Sequence, residues 1–217
     1  MSPYVRPTID APTFLDAEGE VIPYGRRWNG SPPEDTYSVD THPERFAPLH
    51  EIADALIAHL RATYDVEVDE GSDVAADLLH DVSSDVIRAV RVRPKRAEAA
   101  ALTFVFTPYP GVTLHAGLLH DFFFPSCGCD ACDSTWDGEA GDLEQQVLAV
   151  VTGNYSERID RGMRPWVEHR FTYPDGAWQG GRGRTGSIPA ERVRAAKPVL
   201  RSLASGWRAW PELPAQG

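Results

Sequence analysis

Between residues 102 and 124 apolar and polar side chains alternate on both sides of a turn, and this limits the possible folds more than any other feature of the chain. Leu102, Phe104 and Phe106 alternate with Thr103, Val105 and Thr107; Pro108-Tyr109-Pro110-Gly111 supplies turn chemistry; residues 112–116 resume the alternation. Successive strand side chains point to opposite faces, so the pattern predicts an antiparallel hairpin with one face on a core. Residues 118–124 read as a third strand, or as the same strand bent by a bulge at Gly117, and the β-branched stretch 86–92 reads as another.

Helical spacing is clearest at Leu49, Ile52, Ala53, Leu56, Leu60 and Tyr64, which form one apolar stripe and predict a helix over 49–63. Thr41-His42-Pro43-Glu44 matches a capping box just upstream, with a break expected at Pro48. A weaker helix is expected over 74–79, a third over 141–158 from Leu143, Val147, Val150, Val151 and Tyr155, and a last one over 189–203. Residues 14–22 resemble a small hairpin turning at Gly19, and residues 166–173 a strand. The expected fold is α+β: one antiparallel sheet around 86–124, with additions from 14–22 and 166–173, covered by about three helices, all in a single domain spanning 1–217. The tail carrying Trp207 and Trp210 is too aromatic to float free and is expected to pack. Residues 24–40 form a long segment without periodicity, holding Tyr24, Trp28 and Tyr37, which reads either as a functional loop or as a cover pinned over the core by its aromatics.

With 217 residues the chain can bury about 70% of its unfolded surface without disulfides. Its longest apolar runs, 122–124 and 147–151, fall far short of the roughly 18 residues of a membrane span, and residues 1–12 lack the apolar core of a secretion signal. A reducing cytoplasm is therefore the expected compartment, because three cysteines confined to 127–132 cannot make a spread disulfide framework. The net charge is −11, yet residues 158–217 carry eleven basic and five acidic side chains. Either the basic part folds back on the acidic remainder, or it offers a surface to a small-molecule anion or a protein partner. The overall negative field disfavours duplex nucleic acid, which needs a clustered positive face.

The segment richest in chemistry is Pro125-Ser126-Cys127-Gly128-Cys129-Asp130-Ala131-Cys132-Asp133. Three thiols within six residues can turn toward one point if Gly128 permits a tight backbone, and thiolates suit zinc. The expected ligands are Cys127, Cys129 and Cys132 with His120 as the fourth, His115 and Asp133 being alternates; reduced thiols in a turn without metal are the plain alternative. A closed four-ligand zinc site is structural, whereas an open one, with Asp121, Asp130 or Asp133 as general base, would serve a hydrolase. Cys129-Asp130-Ala131-Cys132 also has the spacing of a thioredoxin-like pair, but Cys127 and the acidic flanks speak against it.

The glycine-rich stretch 176–187 lacks the lysine and hydroxyl ending of a P-loop and reads as a mobile loop or hairpin tip. Together with 24–40 it offers a possible ligand-facing surface, with Trp28 and Tyr37 as flat apolar faces and Arg182 and Arg184 as anion contacts. No serine sits in a nucleophile elbow, and the remaining histidines have no metalloprotease spacing.

Tyr24-Gly25-Arg26-Arg27-Trp28, Ser31 through Ser38, His42-Pro43-Glu44-Arg45-Phe46, Leu118-Leu119-His120-Asp121 and the cysteine string Cys127-Gly128-Cys129-Asp130-Ala131-Cys132-Asp133 resemble a family of uncharacterised bacterial proteins of high-GC lineages. That resemblance covers most of the chain and implies a single-domain bacterial protein without assigning a catalytic residue. The leading functional expectation is a non-catalytic binding or regulatory module carrying a small structural zinc knot. The alternatives are a metal-dependent hydrolase using the cysteine and histidine region, and an immunity-type protein whose acidic part neutralises a basic partner.

Overall fold

The computed structural model describes residues 3–10, 12–80, 86–160, 162, 165–203 and 205–214. After the first helix, α1 (Pro48–Thr63), comes a five-stranded antiparallel sheet of β1 (Val66–Glu70), β2 (Arg88–Pro94), β3 (Leu102–Thr107), β4 (Gly111–Ala116) and β5 (His120–Phe124), paired in sequence order. Helix α2 (Trp136–Val151) follows, then a second antiparallel sheet of β6 (Tyr155–Ile159), β7 (Trp166–Thr172) and β8 (Trp178–Arg184), and finally α3 (Ala190–Ser202). The fold is α+β, as the sequence predicts, but with two sheets in place of one.

Register explains which residues enter the core. Val90, Phe104, Leu114 and Phe122 lie side by side across β2 to β5, on the face packed against α1 and α2. The opposite face carries a polar row, Arg91, Thr103, His115 and Asp121. It is covered by a short 3-10 helix, Ser72–Asp77, whose Asp77 carboxylate accepts from Arg91 and from Thr103 Oγ1 at 2.6 Å. The helix expected over 74–79 is this 3-10 turn, and β1 was not anticipated, because only Val66 and Val68 interrupt its acidic residues.

Gly117 lies in a turn between β4 and β5 with φ +71°, so residues 118–124 belong to a separate hairpin strand. A Cβ there would run into the Glu157 carboxylate. The helix expected over 141–158 instead begins at Trp136, where Thr135 Oγ1 accepts from the Gly138 amide at 3.1 Å, and ends at Val151. Gly153, at φ +77° and pressed against the backbone of Ala209, turns the chain into β6.

Residues 178–184 form a strand, not a mobile loop. A Cβ on Gly180 would lie 2.6 Å from the His169 carbonyl, so glycine here permits close approach of β8 to β7. Residues 166–172 join this second sheet, and residues 14–22 make a single bridge, Leu15 to Val21, outside both sheets. The tail packs as expected. The Trp210 indole donates to the Ala100 carbonyl at 2.8 Å, and its amide to Val151 at 2.9 Å. No helix among the described residues is long and apolar enough to cross a membrane.

Candidate metal centre

The cysteine loop leaves the end of β5 through Pro125 and Ser126, whose amide donates to Glu139 of α2 at 2.9 Å. Gly128 leaves room for the Tyr109 hydroxyl, which a Cβ there would displace. A short 3-10 helix, Asp130–Cys132, then turns the third thiol back, and Asp133 ends it in the left-handed conformation at φ +52°. Cys127 and Cys129 sulfurs lie 3.4 Å apart, those of Cys129 and Cys132 3.5 Å, and all three within 4.8 Å of one another. None forms a disulfide.

The electrostatics of the three thiols are unequal. The Cys132 amide, assisted by the other two sulfurs, lowers Cys129 to about 7, while Cys127 and Cys129 push Cys132 up to about 12. Negative charge on one sulfur thus opposes ionisation of the next. A bound cation removes that opposition, and three converging thiolates suit a soft or borderline metal ion.

The segment before α1 is built around this loop. Asp130, buried, accepts from the Thr41 amide at 3.3 Å and from the Thr41 hydroxyl, and faces the guanidiniums of Arg27 at 3.5 Å and Arg45 at 3.8 Å. The Arg27 amide donates to Asp133 at 2.8 Å, the Trp28 indole to the Asp130 carbonyl at 3.2 Å, and Arg45 to the Gly128 carbonyl at 2.7 Å. Residues 24–40 are therefore held over the cysteine loop, and their aromatics Tyr24, Trp28 and Tyr37 do not join the hydrophobic core. Thr41 caps no helix: its hydroxyl goes to Asp130, and a 3-10 helix, Pro43–Phe46, stands where a capped α-helix was expected.

The histidine expected as fourth ligand is elsewhere. His120 is the first residue of β5, at the far end from the cysteine loop, and its Nδ1 donates to Glu157 at 2.8 Å. The alternate, His115, is bound to Asp121 at 2.7 Å on the other face of the sheet. Among the described residues no histidine or carboxylate atom joins the three sulfurs. Asp133 Oδ1, one residue beyond Cys132, is buried without a hydrogen-bond partner among the described residues.

The residues expected to form one ligand-facing surface, Trp28, Tyr37, Arg182 and Arg184, lie on different elements. Trp28 serves the cysteine loop and Tyr37 is exposed, whereas Arg182 and Arg184 lie on β8 with their guanidiniums over Trp166. Arg182 also pairs with Asp160 at 3.0 Å and Glu168 at 2.8 Å.

Sequence reasoning missed a second polar cluster, centred on Glu157. This buried carboxylate accepts from the amides of Leu118 (3.0 Å) and Leu119 (2.9 Å), from His120, and from the Trp207 indole at 3.0 Å. Burial pushes its acid up, but His120, the indole and the Leu119 amide together hold it below the usual range, as an anion. The His169 ring meets that of His120 edge to face with centroids 4.5 Å apart.

Burial first, then the charge of His120, lowers His169 from 6.5 to about 4, against the pull of Glu157. Between those two values the unfolded chain binds more protons at this position than the folded one. The stability contributed by neutral His169 is thus complete above the unfolded value and is lost as the pH falls toward the folded one. Replacing it, His169→Phe, is expected to flatten this part of the stability profile by about 1–2 kcal/mol, after discounting the ring's solvated side. Urea denaturation of both proteins at neutral and at mildly acidic pH measures the difference, and parallel profiles would refute it.

Fold and loop together define an α+β protein with a three-thiol centre able to hold a metal ion. The chain belongs to the Family of unknown function (DUF6226), whose model matches residues 10–214. No curated protein and no solved structure matches it.

Proposed function

We propose that the protein is a cytosolic, non-catalytic binding or regulatory module, folded as a single domain, in which zinc on Cys127, Cys129 and Cys132 clamps the segment before α1 to the end of the first sheet. The observation that carries this is the convergence of three sulfurs in a loop whose carbonyls and carboxylates hold Arg27, Trp28, Thr41 and Arg45. A metal there would fix the loop and, through it, the cover. Asp133, with its unpartnered buried oxygen, is the nearest donor in sequence for a fourth position. The charge of the ion lets all three thiols ionise, so binding releases protons and is linked to folding.

Native mass spectrometry and elemental analysis of protein purified without a metal-affinity column test the reading. One zinc per chain is expected, removed by chelator and absent from Cys129→Ser. At zinc about a hundredfold above Kd the linkage is worth about 2.7 kcal/mol, which for a chain of this size is a Tm loss of roughly 5–11 °C on chelation. Substoichiometric metal with an unchanged Tm in both proteins would overturn it.

A further inference from the structure

The second sheet has a face turned away from the core, and its composition differs from the rest of the surface. Alternation along the strands brings Arg158 of β6, Arg170 of β7 and Trp178 and Gly180 of β8 to that face, with Arg170 paired to Gly180. The same residues, together with Lys197 and Arg201 of α3, line a groove of about 1390 Å³. Its carboxylates are already engaged: Asp160 and Glu168 both bind Arg182, and the Glu157 side chain is fully buried against His120 and Trp207. Among the described residues no carboxylate lies within ion-pair distance of Arg158, Arg170, Lys197 or Arg201. The groove is therefore a cationic trough on a protein of net charge −11.

Aromatic surface accompanies the charge. Trp178 is 61% exposed, with the Arg170 guanidinium 4.7 Å from its ring centroid. Gly180 leaves the adjacent floor without a side chain. The volume exceeds the roughly 300–1,000 Å³ of pockets that enclose a small ligand, and the cations line a sheet and a helix without converging on one point. Distributed cations beside an open aromatic face suit a chain of phosphates with unstacked bases. A duplex would need a broader positive face and would meet the negative remainder of the molecule.

We propose that this groove binds single-stranded nucleic acid, with phosphates on Arg158, Arg170, Lys197 and Arg201 and a base stacked on Trp178. The proposal rests on the binding-module reading above, but not on the metal clamp. Fluorescence anisotropy of end-labelled thymidylate and uridylate dodecamers, titrated with the full zinc-replete chain, tests it. Four phosphate contacts on a single strand predict a log K against log salt slope of about −2.8, a loss of about fiftyfold between 50 and 200 mM salt. The double variant Arg158→Ala/Arg201→Ala should reduce the slope by about 1.4, and Trp178→Ala should weaken binding at least about fivefold. All three positions are exposed, and an unchanged Tm checks that the variants remain folded. No binding at 50 mM salt would overturn the proposal, as would duplex binding of equal strength. So would polyglutamate or polyphosphate binding equally well while Trp178→Ala has no effect, which would mark an acidic-peptide or simple anion surface. Any of these results in a chain that retains its zinc leaves the clamp standing and removes the groove.

Discussion

Glu157→Ala is expected to cost about 3–5 kcal/mol of folding stability, the range seen when one partner of a buried charged network is removed. The side chain is fully buried and accepts from four donors: two backbone amides in the turn between β4 and β5, an imidazole and an indole. Its removal leaves those donors without an acceptor where water has no access, and each such group costs about 1–3 kcal/mol. Glu157→Gln keeps the shape and one acceptor oxygen but places an NH2 against donors, so it should fall between wild type and alanine. Urea denaturation followed by far-ultraviolet circular dichroism gives the value from the midpoint, provided the slope m is unchanged. A loss below about 1 kcal/mol would mean that the turn relaxes and water takes over the carboxylate's role.

A comparable loss, again about 3–5 kcal/mol, is expected for Asp130→Ala measured in excess zinc, for a different reason. Asp130 is the one carboxylate that both Arg27 and Arg45 face within ion-pair distance among the described residues, and the Arg45 side chain is only 3% exposed. Without Asp130 a buried guanidinium retains its contacts to the Tyr24 and Phe46 rings and to two carbonyls, but no anion. The amide and hydroxyl of Thr41 lose their acceptor as well. Asp130→Asn, which keeps hydrogen-bond acceptance from Thr41 while removing the charge, separates the two contributions. Faster proteolysis within residues 24–40 of Asp130→Ala would report release of the cover, and unchanged cleavage would show that the aromatics hold it unaided.

What the sequence discloses follows from how local each signal is. The strands from 86 to 116 and helix α1 were legible because each repeats its own period over six or more residues. The three thiols were legible as a cluster because a short loop brings them together whatever the rest of the chain does. Strand β8 was not, since three of its residues and Gly186 just beyond it are glycines, which read as mobility although two of them serve to admit His169. The fourth ligand went astray because proximity in sequence to the loop made His120 attractive, whereas a whole strand length separates it from the sulfurs. Glu157 gave no signal at all. It lies within 141–158, where the apolar spacing predicts helix, and its donors come from residues 118–120 and 207.

That same separation bears on the order in which the molecule is made. During synthesis from the N-terminus, the Glu157 carboxylate leaves the ribosome fifty residues ahead of the indole that completes its shell. The Ala100 carbonyl waits 110 residues for Trp210. The first sheet and α1, whose strands pair with their immediate neighbours, can assemble while translation continues. Completion of the shell around Glu157 must wait for Trp207, so a nascent chain stalled upstream of it holds a carboxylate that lacks one of its four donors.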